Sequence, residues 1–371
     1  MKAEVVIYGA SGYTGKRLAA RLAQRGIPFV AAGRSQQRLR EQLERMDELR
    51  GTDYDVVAVT HDEEALTSLL RDAKVVFNLV GPFMQLGVPV VQAALNANCH
   101  YLDASGEQDW MLYLQQEYAQ SFESRNLVIS PCCSAMWNAG LVVAEACLAQ
   151  ADIDSLDIVY ALIGVPSVAS TLSFMRACCQ PMLYLENGQL VPWEPATVVE
   201  VAVPGIHQKM TGLPWGGGGE SIWYQSDHRV RNCTTMVAWS NEDLMSFLSG
   251  RMKEFAESYA DEPLSKQEEI TNQWALEIAP DGEPPEEDPD IHRCMVSCHG
   301  RGKLNNYSVT MSHLGGYALT SIIGVVVIET LLAANQESAG FISAPVAVGP
   351  ERFLSEMQIA GGMGQPNIVI S

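Results

Sequence analysis

Through its first 130 residues the chain alternates short apolar runs with longer stretches in which apolar residues recur at helical spacing. The runs have the length of buried strands, and turn-forming residues bound them. They lie at 5–8, 28–33, 54–59, 73–81, 99–104 and 126–130, with helical stretches at 35–46, 62–72, 88–98 and 110–125. Strict alternation of strands and helices is typical of a parallel sheet covered by helices on both faces. The pattern therefore predicts a doubly wound α/β domain.

A glycine turn joins the first predicted strand to a helix that ends near Gly26. In a Rossmann-type turn, one glycine forms the bend, one lets a pyrophosphate approach the backbone, and one lets helix and strand pack closely. Free N–H groups at the helix N-terminus then attract the phosphates. The alternative is a plain strand-to-helix turn, but the strand before it and the helix after it favour nucleotide binding. The predicted contact residues are Gly9, Ser11, Gly12, Tyr13, Thr14 and Gly15.

Basic residues follow the second strand, where many dinucleotide-binding proteins carry an acidic residue. An acidic side chain would hydrogen-bond the ribose 2′-hydroxyl and would repel a 2′-phosphate. This chain has Arg34, Ser35 and Arg38 instead. Two guanidinium groups and a hydroxyl suit a phosphate, so the predicted cofactor is NADP(H) rather than NAD(H). The alternative is that both arginines are solvated surface residues.

Polar or turn-forming residues also follow the other strands of this domain. Asp62 follows the third strand, where the adenine lies in such folds, although it is equally consistent with a helix cap. Asn78, Gly81 and Pro82 follow the fourth strand and are expected near the nicotinamide ribose, and Asp103 follows the fifth. Ligands bind such sheets beyond the carboxyl ends of the strands. We therefore include all five residues in the predicted cofactor site.

Beyond residue 150 the pattern changes to apolar and polar residues in alternation, as in half-exposed antiparallel strands. Strands are predicted at 155–164, 197–205, 220–225, 292–300 and 305–316, and helices at 167–180 and 241–260. The apolar run 320–334 is shorter than a membrane span and contains Glu329, so it predicts a buried helix. The predicted fold is thus a Rossmann-type sheet plus a mixed α+β domain with an antiparallel sheet. The predicted divisions are an NADP-binding domain at 1–135, a substrate and dimerisation domain at 136–314, and a C-terminal segment at 315–371 that packs back on the first domain.

Composition restricts the partners more than the fold. Of the 371 residues 47% are apolar, which permits a large core, and the net charge is −20. An acidic chain argues against nucleic acid, whose phosphates need a positive surface. The N-terminal apolar stretch is too short for a signal peptide, and nine cysteines without regular spacing suggest reduced thiols. We expect a cytoplasmic protein with a small-molecule substrate and no membrane span.

Two cysteine-containing segments invite other chemistry. His292, Cys294, Cys298 and His299 are close in sequence, but their spacing fits no common zinc site, and His299 would face away from the two cysteines on a strand. The adjacent pair at 132–133 has no identifiable partner base, so we predict no thiol nucleophile. No metal site is predicted.

The segments "GASGYTGKRLAARL", "AAGRSQQRL" and "VFNLVGPFMQLGVPVVQAALNANCHYLDASGE" resemble the saccharopine dehydrogenase-like oxidoreductases. The nearest resemblance is to the branch that contains the trans-acting enoyl reductases, and it is dense up to about residue 110. The resemblance implies an NADP(H) site in a Rossmann domain, an inserted α/β domain and a homodimer. The branch has glycine, aspartate and proline after the sixth strand, expected near the nicotinamide, where this chain has "SPCCSAMWNAG" (130–140).

The predicted chemistry is hydride transfer from NADPH to a C=N, C=C or C=O bond, for which the protein must supply a proton. The candidate catalytic residues are Tyr224, Asp227, His228 and Arg229, although Asp227 and Arg229 would equally form a structural ion pair. The substrate is either a small imine or amino-acid-like compound or a lipid-like enoyl compound. The alternative function is a sensor or scaffold that binds NADP(H) without turnover.

The segment "PWGGGG" (214–219) is the last feature that the sequence leaves open. Four glycines suit a flexible loop beside a substrate, with Trp215 and Trp223 as an apolar wall. A long connection between two strands explains the glycines equally well.

Overall fold

The structure, a computed structural model, describes residues 3–288 and 290–370 and divides into two compact units. The first unit contains residues 3–105, 110–135 and 317–360. The second contains residues 106–109, 136–288, 290–316 and 361–370. Met1, Lys2, Pro289 and Ser371, which the predicted domain ranges include, lie outside the described residues. The three-part division proposed from the sequence stays a prediction.

The first unit contains a seven-stranded sheet in which every pair of neighbours is parallel. Its order, β15-β6-β5-β4-β1-β2-β3, confirms the predicted Rossmann-type arrangement. The first part of the chain forms β1 (Val5–Tyr8), α1 (Tyr13–Gln24), β2 (Phe29–Gly33), α2 (Gln36–Leu43), β3 (Tyr54–Ala58), α3 (Glu63–Leu70), β4 (Val75–Asn78), α4 (Phe83–Leu86), α5 (Val88–Asn96), β5 (His100–Asp103), α6 (Gln108–Glu117), α7 (Ala119–Glu123) and β6 (Val128–Ser130). All six predicted strands are present.

Local sequence explains where the helices of this unit begin. Ser35 and Asp62 cap α2 and α3, because their side chains accept hydrogen bonds from main-chain amides three residues later. The strands β1 and β4 are buried along their whole length, as expected for the centre of a parallel sheet.

The apolar run near residue 320 forms a buried helix, as predicted. After β14 the chain forms α13 (Gly316–Leu332), β15 (Gly340–Phe341), α14 (Ala344–Val348) and α15 (Pro350–Ile359). At Gly324 of α13 a Cβ atom would lie 2.9 Å from the Phe77 ring and 3.0 Å from Leu18, so this helix contacts both β4 and α1. Within the described residues, none of the helices combines the length and apolar character that a membrane crossing would require.

The second unit contains a seven-stranded mixed sheet, in the order β16-β14-β13-β7-β12-β8-β9, and a two-stranded ribbon, β10-β11. Its elements are α8 (Ala135–Leu148), β7 (Ile153–Leu162), α9 (Val168–Arg176), β8 (Leu183–Glu186), β9 (Gln189–Pro192), β10 (Val199–Val201), β11 (Met210–Gly212), α10 (Glu220–Tyr224), β12 (Asn232–Trp239), α11 (Glu242–Ser258), α12 (Leu264–Ile278), β13 (Arg293–Gly302), β14 (Asn306–Leu314) and β16 (Asn367–Ile370). The strands β7 and β12 are parallel, and the other neighbours are antiparallel.

The sequence-based prediction fails in one segment of this unit and is incomplete in others. Residues 220–225, predicted as a strand, form the helix α10. Glu220, Ser221, Ile222 and Tyr224 are all buried, so this short segment has no polar face from which its period can be determined. The strand β12, which pairs with β7, and the helix α12 were not predicted from the sequence.

Candidate functional site

The turn between β1 and α1 is built from close backbone contacts. Gly9 has a φ of +94°, and its N–H donates to the carbonyl of Ala32 at 2.9 Å. The N–H of Gly12 donates in turn to the carbonyl of Gly9 at 3.0 Å. A Cβ atom on Gly15 would lie 2.5 Å from that same carbonyl oxygen, so helix and turn approach too closely for a side chain. The turn thus requires glycine at positions 9 and 15.

The N-terminus of helix α1, which follows this turn, is not capped by a side chain. Gly12 is its N-cap and provides no side-chain cap, and the first turn contains no acidic residue. N–H groups at such a terminus are available to an anion, and the helix dipole favours negative charge there. The turn and the bare helix end therefore fit the pyrophosphate of a dinucleotide.

Arg34 and Arg38 follow β2 as exposed side chains, and neither forms an ion pair within the part of the chain that the structure describes. The Ser35 hydroxyl accepts the main-chain N–H of Arg38 at 3.2 Å, which holds the start of α2 in place. Burial raises the pKa of Tyr8 in β1, and the charge of Arg34 opposes that rise, so Arg34 lies near the end of β1. Two cations without carboxylate partners fit a ribose 2′-phosphate.

Tyr8 and His61 form a contact beside this position that the sequence analysis missed. The Tyr8 hydroxyl lies 2.8 Å from the His61 Nδ1 atom, and the two rings are stacked with centroids 5.9 Å apart. Asp62 is next in the chain and caps α3 through the Ala65 N–H at 2.9 Å. Its hydrogen bond from Thr60 is the main reason why its pKa is lowered. These contacts explain Asp62 as a helix cap, and its contact with adenine stays a prediction.

Asn78 and Asp103 order the carboxyl ends of β4 and β5. Asn78 donates to the Tyr101 hydroxyl at 3.1 Å and accepts the Val80 N–H at 3.0 Å. The fully buried Asp103 carboxylate accepts from Trp110 Nε1 at 2.7 Å and from Tyr101 at 3.0 Å. The neighbouring Ser105 and Cys132 main-chain amides donate to it at 2.9 and 3.0 Å. Burial raises the pKa of Asp103, and these donors counteract the rise. These contacts favour a role for Asp103 in positioning the groups around it, and its contact with the cofactor stays a prediction.

The cysteine pair that follows β6 is part of this arrangement. Cys133 donates its main-chain N–H to the Asp103 carbonyl at 2.6 Å, and both Cys132 and Cys133 are fully buried. Burial raises the pKa of the Cys133 thiol far above its usual value. Such a thiol remains protonated and is a poor nucleophile. All nine cysteines are free thiols.

The structure brings three of the four predicted catalytic residues together around Glu145, which the sequence analysis missed. Tyr224 donates to Glu145 Oε1 at 3.0 Å, and Arg229 contacts both oxygens of Glu145 at 2.9 and 3.0 Å. Arg229 also contacts Asp227 at 2.6 Å. Burial raises the pKa of Asp227, but the hydrogen bonds from Arg229 outweigh it and the pKa is lowered. This network supports the structural ion pair that the sequence left open, while the catalytic roles of Tyr224, Asp227, His228 and Arg229 stay predictions.

A second titratable cluster, also missed, lies inside the second unit. Glu220 is fully buried and accepts from the Tyr160 hydroxyl at 2.7 Å and from Thr235 at 3.1 Å. The Tyr160 oxygen also accepts the Gly140 N–H at 2.6 Å. Burial raises the pKa of Glu220 to about 7, so this carboxyl changes charge near neutral pH. Residues 60 positions apart in the chain form this pair, and its only signal in the sequence is a glutamate directly after a glycine run.

The same unit contains a buried arginine. Arg176 of α9 is 1% exposed and contacts Asp109 at 2.9 Å, Glu268 at 2.9 Å and Glu107 at 3.3 Å. One guanidinium therefore contacts three carboxylates, two of them two residues apart in the chain and the third from α12.

The segment with His292, Cys294, Cys298 and His299, for which no metal site is predicted, leads into and forms part of strand β13 of the mixed sheet. Cys294 and Cys298 are buried, and His299 Nδ1 lies 3.0 Å from the Ser308 hydroxyl. Within residues 3–288 and 290–370, no three His, Cys, Asp or Glu side chains are grouped as metal ligands would be.

Comparison with protein families identifies both parts of the chain. Residues 138–371 match the model described as "Family of unknown function (DUF5938)". Residues 5–125 match the model of the saccharopine dehydrogenase NADP binding domain, which confirms the predicted cofactor, NADP(H), and the predicted resemblance. The glycine turn and the two unpaired arginines described above fit that cofactor.

Curated relatives match part of the chain. A lipid droplet localized protein of Caenorhabditis elegans is 36% identical over 138 residues, 35% of this chain and 32% of the relative. A probable mitochondrial saccharopine dehydrogenase-like oxidoreductase of Arabidopsis thaliana is 35% identical over 35% of this chain and 31% of its own length. A trans-acting enoyl reductase of Mycobacterium ulcerans is 36% identical over 28% of this chain and 25% of its own length. The chain thus spans a third or less of these relatives.

A solved structure matches the chain over nearly its whole length. It is the apo saccharopine dehydrogenase (L-Glu forming) of Saccharomyces cerevisiae, with a TM-score of 0.61, 13% identity and coverage of 99% of this chain and 100% of the yeast protein. At that identity the likeness shows the fold, and it confirms the predicted fold class. The cytoplasmic location and the homodimer stay predictions.

Proposed function

We propose that this chain, which belongs to the DUF5938 family and carries a saccharopine dehydrogenase NADP binding domain, is an NADPH-dependent oxidoreductase. It transfers hydride to a C=N, C=C or C=O bond of a small or lipid-like substrate. The observation that carries the proposal is the pair Arg34 and Arg38, which have no carboxylate partner among the described residues and lie beyond the same sheet edge as the uncapped N-terminus of α1. That pair suits a 2′-phosphorylated dinucleotide, which reductive enzymes use as a hydride source.

The residues of the first unit bind and orient the cofactor. The N–H groups at the start of α1, with the side chains of Ser11 and Thr14, bind the pyrophosphate. Arg34 and Arg38 bind the 2′-phosphate, and Ser35 keeps its capping bond to α2. Gly81 and Pro82 border the nicotinamide ribose. The chemistry that bound NADPH would supply at this site is hydride transfer.

A side chain of the protein supplies the proton that accompanies hydride transfer. In this proposal His228, which is exposed and next to Asp227, is the proton donor. Tyr224 and Arg229 hold Glu145 and Asp227 in place. Single-turnover rates of His228→Ala and Asp227→Asn test these roles. A hydride-transfer rate that is unchanged in both variants removes this cluster from the mechanism.

Arg34→Ala tests the cofactor assignment. Charge-assisted hydrogen bonds are worth about 1.5–3 kcal/mol, so the Kd for NADPH should rise about 10- to 100-fold, while the Kd for NADH stays the same. Arg40→Ala, which changes an exposed arginine on the following helix α2, is the matched control and should leave both values at wild type. Equal changes for NADPH and NADH in Arg34→Ala would contradict the assignment. Tight NADPH binding without turnover of imine, enoyl or carbonyl substrates would support the sensor or scaffold instead.

A further inference from the structure

The glycine run Gly216–Gly219 is a buried, closely packed segment of the second unit. Gly216, Gly217 and Gly218 have φ values of +70°, +75° and +82°, a left-handed conformation that side chains disfavour. A Cβ atom on Gly217 would lie 2.1 Å from the Gln108 side chain, and one on Gly218 would lie 2.4 Å from Thr235. Neighbouring side chains therefore pack closely against the run, and this packing and the left-handed backbone are the reasons for its glycines.

Hydrogen-bond donors around this run lack acceptors. The indole nitrogens of Trp137, Trp215 and Trp223 are buried, and no group among the described residues accepts from them. The main-chain amides of Gly216 and Gly218 likewise have no acceptor in that part of the chain, whereas the N–H of Gly217 donates to Pro214 at 3.0 Å. Buried donors without acceptors are rare in native proteins because each costs its full desolvation energy. The Trp137 indole and the Gly216 and Gly218 amides lie together at the run, which indicates that an oxygen from outside the chain binds there.

The orientation of Trp137 selects it as the central donor. Its Cδ1 atom lies 2.4 Å from the position of a Cβ on Gly219, and its Cζ2 atom lies 3.3 Å from the position of a Cβ on Gly216. These two ring atoms flank Nε1, so the N–H edge of Trp137 faces the glycine run. Trp223 instead presents its Cζ3 atom, on the opposite edge of the ring, at 3.1 Å from the Gly219 position. Its N–H points away from the run.

The surroundings define the kind of ligand. Phe174 lies against Trp215 with ring centroids 4.3 Å apart and against Trp239 at 5.3 Å, which gives the site aromatic neighbours. The charged group next to the run is Glu220, whose partner Tyr160 packs edge-on against Trp137 at 5.5 Å. Neutral donors beside a carboxyl group favour a neutral oxygen over a carboxylate, because two negative charges would repel each other in a buried site.

We propose that the Trp137 indole N–H, with the amides of Gly216 and Gly218, binds the carbonyl oxygen of a neutral substrate that carries an aromatic or apolar group. The site resembles an oxyanion hole, in which fixed N–H donors surround one oxygen. The inference rests on the proposed function and narrows its substrate class to neutral carbonyl compounds.

Binding of three probes to the full-length protein tests the inference. Acetophenone presents a neutral carbonyl, benzoate presents a carboxylate, and ethylbenzene has no oxygen. Isothermal titration in saturating NADP⁺ should give acetophenone at least about tenfold tighter binding than either comparison probe, as one or two good hydrogen bonds would provide. The ¹³C resonance of carbonyl-labelled acetophenone should move downfield on binding, because the oxygen accepts hydrogen bonds.

Trp137→Phe removes the central N–H and keeps an aromatic ring. We expect it to weaken acetophenone binding about two- to tenfold and to reverse the downfield shift, with little effect on ethylbenzene. Trp223→Phe is the matched control, since its N–H points away from the run, and should match wild type. Circular dichroism checks that both variants are folded.

Three results would overturn the inference: acetophenone that does not bind, benzoate or ethylbenzene that binds as tightly as acetophenone, or a folded Trp137→Phe variant that binds acetophenone like wild type. The NADPH affinity of the same samples separates the two proposals. Intact NADPH binding together with any of those results refutes the carbonyl site alone, whereas absent NADPH binding refutes the proposed function.

Discussion

Replacing Glu220 with glutamine should remove a pH dependence from the stability of the second unit. The Glu220 carboxyl is fully buried and is held by the hydroxyls of Tyr160 and Thr235, and no cation is among the causes that set its pKa. Glutamine keeps the same shape, can accept from Tyr160, and can donate to the Thr235 oxygen. The substitution therefore removes the titration while preserving the packing.

The magnitude follows from the pKa, which burial raises from 4.5 to about 7. Between those pH values the folded protein holds a proton that the unfolded chain has lost, so the free energy of unfolding falls as pH rises. Each pKa unit corresponds to about 1.4 kcal/mol, so the full loss is roughly 3 kcal/mol, complete above pH 7 and absent below pH 4.5. Glu220→Gln should gain that amount relative to wild type between pH 4.5 and pH 8.

Urea denaturation at pH 5, 6, 7 and 8, followed by tryptophan fluorescence, measures this difference. Six of the seven tryptophans lie in the second unit, so the signal reports mainly on that unit. Glu257→Gln, a change at an exposed glutamate, serves as the control and should show the pH profile of wild type. Parallel profiles for wild type and Glu220→Gln would refute the reasoning, because they would mean that Glu220 does not titrate in this range.

Two further substitutions test the packing of each unit. Arg176→Met leaves Glu107 and two other carboxylates without their cation and should lower the free energy of unfolding by about 3–5 kcal/mol in urea titrations; a loss below about 1 kcal/mol would contradict the compensating role. Gly15→Ala places a methyl group 2.5 Å from the Gly9 carbonyl oxygen. It should lower the free energy of unfolding by about 1–3 kcal/mol and should also weaken NADPH binding. Gly250→Ala, on a helix with open space around it, should instead gain about 0.5–1 kcal/mol, so equal effects of the two glycine substitutions would show that crowding is not the cause.

Much of the first unit was predictable because its determinants are local. The apolar runs locate β1 to β6, and the glycines of the first turn and the arginines after β2 lie within about ten residues of a strand end. Each residue type there has a direct physical reason: glycine for a close backbone approach, arginine for a phosphate. The family match at 5–125 covers β1 to β5 of this region.

The second unit was less predictable because its important contacts are distant in sequence. Glu220 is 60 residues from Tyr160, and Arg176 is 69 residues from Glu107. Neither pair leaves a periodic pattern, and four of the five residues of α10 are buried, so no polar face distinguishes this helix from a strand in the sequence. The same holds for the Tyr224 cluster, whose central carboxylate, Glu145, lies 79 residues before Tyr224.

The sequence by itself determined the alternation of strands and helices, the glycine turn, the cationic positions after β2 and hence the class of cofactor. These depend on hydrophobic period and on backbone conformations that neighbouring residues impose. Only the tertiary structure decided which carboxylates are buried, which arginines are compensated and where unpaired N–H groups collect around Gly216–Gly219. Burial and charge pairing depend on groups that folding brings together from distant positions, and they set the pKa values and donor sites on which the chemistry depends.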